Sequence, residues 1–260
     1  MSLLPNSFNF MILKPTIKTM KKPQILVLLL LLCSFLNAQE YAIGIKGGLN
    51  YYNIGDIVTV GSNGPQGPVA GLIFEPVKEI GYQFGAFLNV AFDKFYIRPE
   101  INFVSNKNNY DFPLQTSYWT ASKINVPLLL GYKIYDPISI YIGPSFSFFD
   151  EMNLEGANNQ TGESSLNYEK TTTSLMFGVQ VEFKRFGVDL RYELGLKETV
   201  EERQDIHNSA YGVNQADIYS YKPSQISLSL NIFLFRTDGE DIGGLFDGLF
   251  RGNACNCYRN

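Results

Sequence analysis

The sequence predicts an all-β protein: an eight-stranded antiparallel transmembrane β-barrel with a short C-terminal periplasmic tail. Three observations carry that prediction. An export leader opens the chain, apolar/polar alternation recurs in eight segments, three of them strongly, and the connections between those segments alternate between short and long. The composition agrees: of 260 residues, 45% are hydrophobic and 14% aromatic, with 23 Gly, which excludes disorder, a collagen-like fibre and a disulfide scaffold.

Residues 1–39 read as a secretory signal peptide. Lys14, Lys18, Lys21 and Lys22 form a basic flank, an apolar run follows from Ile25 to Leu36, and Asn37, Ala38 and Gln39 bring the small and polar residues of a cleavage region. The run is about a dozen residues, too short to cross a bilayer. Met20 followed by two lysines reads as a natural start, which makes 1–19 an upstream extension, and cleavage is expected after Ala38 or Gln39. A lipoprotein reading through Cys33 is disfavoured because Leu32 stands where a small residue would precede a lipidated cysteine.

Removing the four leader lysines leaves 17 bases against 25 acids. That balance argues against a nucleic-acid partner, since phosphate binding needs clustered cations. Of three cysteines, Cys33 departs with the leader and only Cys255 and Cys257 remain, both in the last six residues, so no disulfide can staple the body of the fold.

The barrel is expected over 40–236. In 82–92 the apolar residues Tyr82, Phe84, Ala86, Leu88, Val90 and Phe92 alternate with Gln83, Gly85 and Asn89. In 124–134 Ile124, Val126, Leu128, Leu130, Tyr132 and Ile134 repeat the pattern, and in 186–196 Phe186, Val188, Leu190, Tyr192, Leu194 and Leu196 do so again. Weaker copies occupy 41–49, 95–103, 138–148, 175–183 and 226–234. Strands of about ten residues cross a bilayer when tilted. Tight turns are predicted at Asp93-Lys94, Tyr135-Asp136-Pro137 and Lys184-Arg185, and long connections over about 50–80, 105–119, 149–170 and 198–221. Short turns at one rim and long loops at the other mark a bacterial membrane barrel with its short rim periplasmic.

A soluble calyx has eight alternating strands too, so the face opposite the apolar stripe decides. It carries Gly44, Gly48, Gly85, Gly131, Gly143, Gly178, Gly187 and Gly195 with Ser145, Ser147, Ser227 and Ser229, which suits a crowded lumen better than a solvated exterior. Tyr41, Phe92, Phe95, Tyr132, Phe183 and Phe186 cluster where strands reach the short turns, as an interfacial girdle requires. Pro99, Pro127 and Pro144, inside three consecutive strands, are each expected to mark a bulge.

Four motifs then carry a family likeness: Phe95-Tyr-Ile-Arg-Pro-Glu-Ile-Asn-Phe103, Ile124-Asn-Val-Pro-Leu-Leu-Leu-Gly-Tyr-Lys-Ile134, Tyr141-Ile-Gly-Pro-Ser145 and Leu190-Arg-Tyr-Glu-Leu-Gly-Leu196. In this order, with Gly44-Ile-Lys-Gly-Gly-Leu-Asn50 ahead of them, they resemble the strands of the PorT-like outer-membrane β-barrel domain of Bacteroidota. The resemblance covers about 40–236 and implies architecture and outer-membrane location. It implies less about molecular role, although the name-giving member belongs to the type IX secretion and gliding machinery.

No Gly-rich phosphate loop, His/Cys metal spacing or nucleotide motif occurs, so no catalytic residue, cofactor or metal ligand is expected. His207, the only histidine, lies in the fourth long connection near Glu201, Glu202, Arg203 and Asp205. It is too far from a strand end for the lipid-facing site of a membrane hydrolase, and a solvated loop histidine is the plainer reading. Asp150, Glu151, Glu155 and Glu163, then Glu198, Glu201, Glu202 and Asp205, read as hydrated surface charge, with divalent cations bridging to lipopolysaccharide as the alternative.

Two groups remain as candidate sites. Lys46, Arg98, Glu100, Lys133, Glu182, Asp189, Arg191 and Glu193 fall at inward positions and are expected to form a lumen charge network, with Arg98 paired to Glu193 and Arg191 to Glu100. In the tail, 237–260, Ile242, Leu245, Phe246, Leu249 and Phe250 fall on one face of a short amphipathic helix. Its glycines at 243, 244, 248 and 252 weaken that helix, so three dispositions stay open: docking on the periplasmic leaflet, docking on a periplasmic or outer-membrane protein partner, or disorder. The function classes are then a structural or interaction barrel within a secretion or envelope assembly, a small-solute channel, or, remotely, a lipid hydrolase. Size favours the first, because an eight-stranded interior is just wide enough for side chains to fill.

Overall fold

The computed structural model describes residues 40–60, 70–157, 166, 168–206 and 208–237. The expected leader, His207, the tail stripe from Ile242 to Phe250, and Cys255 and Cys257 lie outside the described residues. The strands are β1 (Glu40–Asn53), β2 (Ile57–Thr59), β3 (Ile73–Phe74), β4 (Val77–Lys78), β5 (Gly81–Phe92), β6 (Phe95–Asp111), β7 (Thr116–Tyr135), β8 (Ile138–Leu154), β9 (Thr171–Glu182), β10 (Phe186–Gly195), β11 (Glu202–Asp205), β12 (Gln215–Ile218) and β13 (Ser224–Arg236). One helical turn, α1 (Asn208–Tyr211), lies between β11 and β12.

Eight of these, in the order β1-β5-β6-β7-β8-β9-β10-β13, pair antiparallel, and β13 returns to β1 from Ala42↔Arg236 to Asn53↔Ser224. The ring has no free edge, so every barrel strand has a ladder partner on both sides. All eight strands expected from the alternation are present, each near its predicted place.

Their burial is inverted relative to a soluble barrel. Leu190 is 51% exposed while its neighbours Asp189 and Arg191 are 0% and 4% exposed, and the same contrast runs along β1, with Ile45 outside and Lys46 inside. Apolar side chains outside and polar ones inside suit a cylinder standing in hydrocarbon. At the short-turn rim the Phe95 and Tyr132 rings lie 4.9 Å apart and the Phe183 and Phe186 rings 5.0 Å apart, tilted against each other and all on the outer face. The tight turn there places Asp93 at φ 55°, a left-handed conformation that Asp tolerates. Inside, a Cβ at Gly131 would come within 2.0 Å of the Tyr96 ring, so the glycine is the hollow in which that ring lies.

Three expectations need correction. The second connection is far shorter than 105–119: β6 and β7 run on as a hairpin from Ser105↔Ser122 to Asp111↔Thr116, leaving only 112–115 between them. Asn106 and Asn108 on the inner face gave that stretch a loop-like composition. The first and fourth connections are not plain loops, because β11-β12-β2-β3 form a second, four-stranded sheet. The prolines mark no bulge: pairing passes Pro99↔Leu128 to Asn102↔Asn125, and Pro127↔Ser145 to Leu130↔Ile142, without a change of register. A missing N–H deletes one ladder bond and requires no inserted residue. The irregularities fall instead at Ile43/Gly44, Ser122/Lys123 and Lys133/Tyr135.

Candidate functional site in the barrel lumen

From the short-turn rim outward, the lumen is built in layers. Nearest the rim, Arg98 lies 4.6 Å above the Phe87 ring, donates to the Gln180 side chain, and meets Glu182 at 2.6 Å. Phe87, Phe233 and Ala42 pack around this level. The second layer is a four-charge network. Arg191 donates to both oxygens of Glu100, at 2.9 and 3.0 Å, and to Asp189 at 3.0 Å, while Lys46 reaches Asp189 at 3.0 Å and Glu100 at 3.3 Å. Tyr141 completes it, donating its hydroxyl to Asp189 and accepting from Arg191 Nε at 2.9 Å. These side chains come from β1, β6, β8 and β10 and are essentially sealed from outside.

One layer further out, Lys123 meets Glu193 at 2.9 Å, and Asn125 and Ser174 also donate to that carboxylate. The three layers hold four cations, Lys46, Arg98, Lys123 and Arg191, against four anions, Glu100, Glu182, Asp189 and Glu193. In a low-dielectric interior each charge must be paired, and here each one is.

The pairing differs in part from the sequence expectation. Arg191 and Glu100 meet as expected. Arg98 does not meet Glu193, because β6 and β10 both run outward from the short rim. Arg98 lies three residues in and Glu193 seven, a difference of about 13 Å along the strands at 3.3 Å per residue. Lys133 is outside the network, at the rim, 3.9 Å from Glu40 and about a third exposed. Lys123, Tyr141 and Gln180 escaped the sequence reading. The alternation counted from Ile124 would have found Lys123 one residue earlier, since it shares the inner face with Asn125.

Beyond Lys123 the paired charges give way to an aromatic cluster, with Asn106, Asn108 and Ser117 also buried on the inner face. Tyr52, Tyr110, Trp119 and Phe149 from the barrel form one buried cluster with Ile57 and Ala216 of the second sheet. Tyr52 and Trp119 stack at 5.4 Å with an interplanar angle of 6°. A chamber of about 260 Å³ lies beside this cluster, with Lys123 and Glu193 among its lining residues. At the opposite mouth a basin of about 380 Å³ is lined by Lys133, Glu182, Lys184 and Arg236, among others.

In the fourth connection Arg203 chelates Asp217 with bonds of 2.8 and 2.9 Å, and Gln215 donates to Asp205. Among the described residues no three His, Cys, Asp or Glu side chains are grouped to hold a metal ion.

The family profile described as "Outer membrane protein beta-barrel domain" matches residues 37–201, well over half of the chain. Among solved structures, the outer-membrane protein OprG from Pseudomonas aeruginosa is similar at 15% identity and a TM-score of 0.45, over 75% of this chain and 96% of that one. Neisserial surface protein A is similar at 10% identity and a TM-score of 0.36, over 73% and 96%. Ail, the attachment invasion locus protein of Yersinia pestis, is similar at 11% identity and 0.37, over 75% and 99%. No curated protein sequence matches the chain.

Proposed function

The chain belongs to the outer membrane protein β-barrel domain family and resides in the outer membrane, and from that premise we propose that it is a closed, non-enzymatic barrel with a structural or interaction role in the envelope. One observation carries the reading: the Lys46–Glu100–Asp189–Arg191 network, with Tyr141, joins side chains from both sides of the ring inside a lumen that eight strands leave only wide enough to fill. A solute crossing it must break buried ion pairs.

The strand motifs similar to the PorT-like barrels of Bacteroidota support a finer reading, an accessory of a type IX-like secretion or envelope assembly. In that reading residues 1–39 direct export and are removed, the barrel is held in outer-membrane lipid and lipopolysaccharide, and Ile242, Leu245, Phe246, Leu249 and Phe250 offer the contact to a protein partner.

Planar-bilayer recording tests the closed state. The folded protein should give no sustained channel, and a Glu100→Ala variant that retains the heat-dependent gel mobility of a folded barrel should leak. Sustained ohmic conductance from the wild type would overturn the closed reading and favour a small-solute porin.

A further inference from the structure

Above the charge layers the chamber of about 260 Å³ has no part in closing the barrel. Its walls include Tyr52, Trp119, Phe149 and Met152, and its polar floor is the Lys123–Glu193 pair. The lining continues to exposed Lys197, Glu198 and Val200, so the chamber is reached from the long-loop side. The wall is lower there: β9 begins at Thr171, opposite Phe148, whereas β8 continues six residues further to Leu154. That leaves β8 about 20 Å taller at 3.3 Å per residue.

We propose that this chamber is a binding site for a small, neutral, mostly apolar molecule carrying one hydroxyl group. Size sets the body: an apolar cavity of about 150 Å³ admits benzene, so this one takes a ring with a short substituent or an alkyl chain of similar bulk. The walls set the polarity, since apolar and aromatic surface with a few placed polar groups is the usual make-up of a small-molecule pocket. The floor sets the end group. A hydroxyl can donate to the Glu193 carboxylate and accept from the Lys123 ammonium, satisfying both without changing the charge of the pair. A carboxylate end would place a second anion beside Glu193, with Lys123 already engaged by it and lying 5.5 Å from the Tyr52 ring. Because the charge layers lie beneath, the ligand enters and leaves by the same mouth.

The chain's only tryptophan, Trp119, stands in the chamber wall, which supplies the readout. Full-length protein folded into lipid nanodiscs is titrated with 6-bromohexan-1-ol, whose bromine quenches a tryptophan it touches, and hexan-1-ol is then added as competitor. The expected result is saturable quenching that hexan-1-ol reverses. Thr172→Phe, which fills the chamber from β9, and replacement of the probe by 6-bromohexanoate should each weaken the apparent affinity at least ~10-fold. Quenching that rises linearly without saturation, is not reversed by hexan-1-ol, or is equally strong with the carboxylate would overturn the proposal. If Thr172→Phe loses the mobility of a folded barrel, the competition arm decides.

Discussion

Between the short-turn rim and Glu193 the lumen holds eight charged side chains, each paired, whereas beyond Lys123 the same cylinder is filled by Tyr52, Tyr110, Trp119 and Phe149 and covered by a second sheet. The two halves meet one demand by different means. Where all eight strands are present, a charged side chain on one wall reaches its counter-ion on another. Where β9, β10 and β13 end, β6, β7 and β8 continue without a facing barrel strand to carry counter-ions. Apolar packing against Ile57 and Ala216, brought by the connections, replaces it. Height of wall therefore selects the chemistry of the interior.

The sharpest way to break this contrast is to remove one charge from the inner half. Glu100→Gln leaves Arg191 and Lys46 short of an anion and should destabilise the barrel by about 3–5 kcal/mol, the usual cost of breaking a buried pair from one side. Urea titration in lipid vesicles measures it. Glu100→Leu combined with Arg191→Met, which removes one anion and one cation and keeps Lys46 with Asp189, should recover most of the loss. A double variant as unstable as the single one would mean that shape, not charge balance, governs this half.

The outer half should respond less. Met152→Leu changes the chamber wall without changing its volume, and a volume-conserving swap of that kind typically costs less than about 1.5 kcal/mol. A loss as large as that of Glu100→Gln would erase the distinction between the halves. The smallest effect belongs to the exposed hairpin of β11 and β12. There the Arg203 guanidinium holds the Asp217 carboxyl below its ordinary value, so the pair supports the hairpin fully above the usual carboxylate range and is lost as pH falls through the depressed value. An NMR pH titration should show that acid step in the hairpin amides. Asp217→Asn should abolish it without altering the gel mobility of the folded barrel.

The alternation of Phe186 to Gly195 and its seven companions was legible because lipid outside and a packed lumen inside force period two on every strand. The outer end of β6 was not: Asn106 and Asn108 face inward where the wall stands alone, and inward asparagines look like loop composition. β2, β11 and β12 are three or four residues long, too short for a period to show, and what brings them together is the burial of Ile57 and Ala216 in one apolar cluster with barrel aromatics. The inner positions of Arg98, Glu100, Asp189 and Arg191 were legible from the same alternation. Which of them meet depended on height above the rim, and neighbouring residues say little about height unless strands are counted from their turns.

The inner network also constrains biogenesis. Lys46 is 143 residues from its partner Asp189, and Arg191 is 91 from Glu100, so the complete network draws on strands far apart in the chain. β6 brings Arg98 with Glu100 and β10 brings Arg191 beside Asp189, whereas β1 alone would bring Lys46 without either of its anions. A lone charge at mid-bilayer costs at least about 2.5–3.5 kcal/mol. Lys46 therefore finds its first anion, Glu100, once β5 and β6 have joined β1, and its second, Asp189, only when β13 brings β10 round to β1, so closure of the ring completes the set. Stopped-flow refolding into vesicles should accordingly show Trp119 burial and β1–β13 pairing in a single phase.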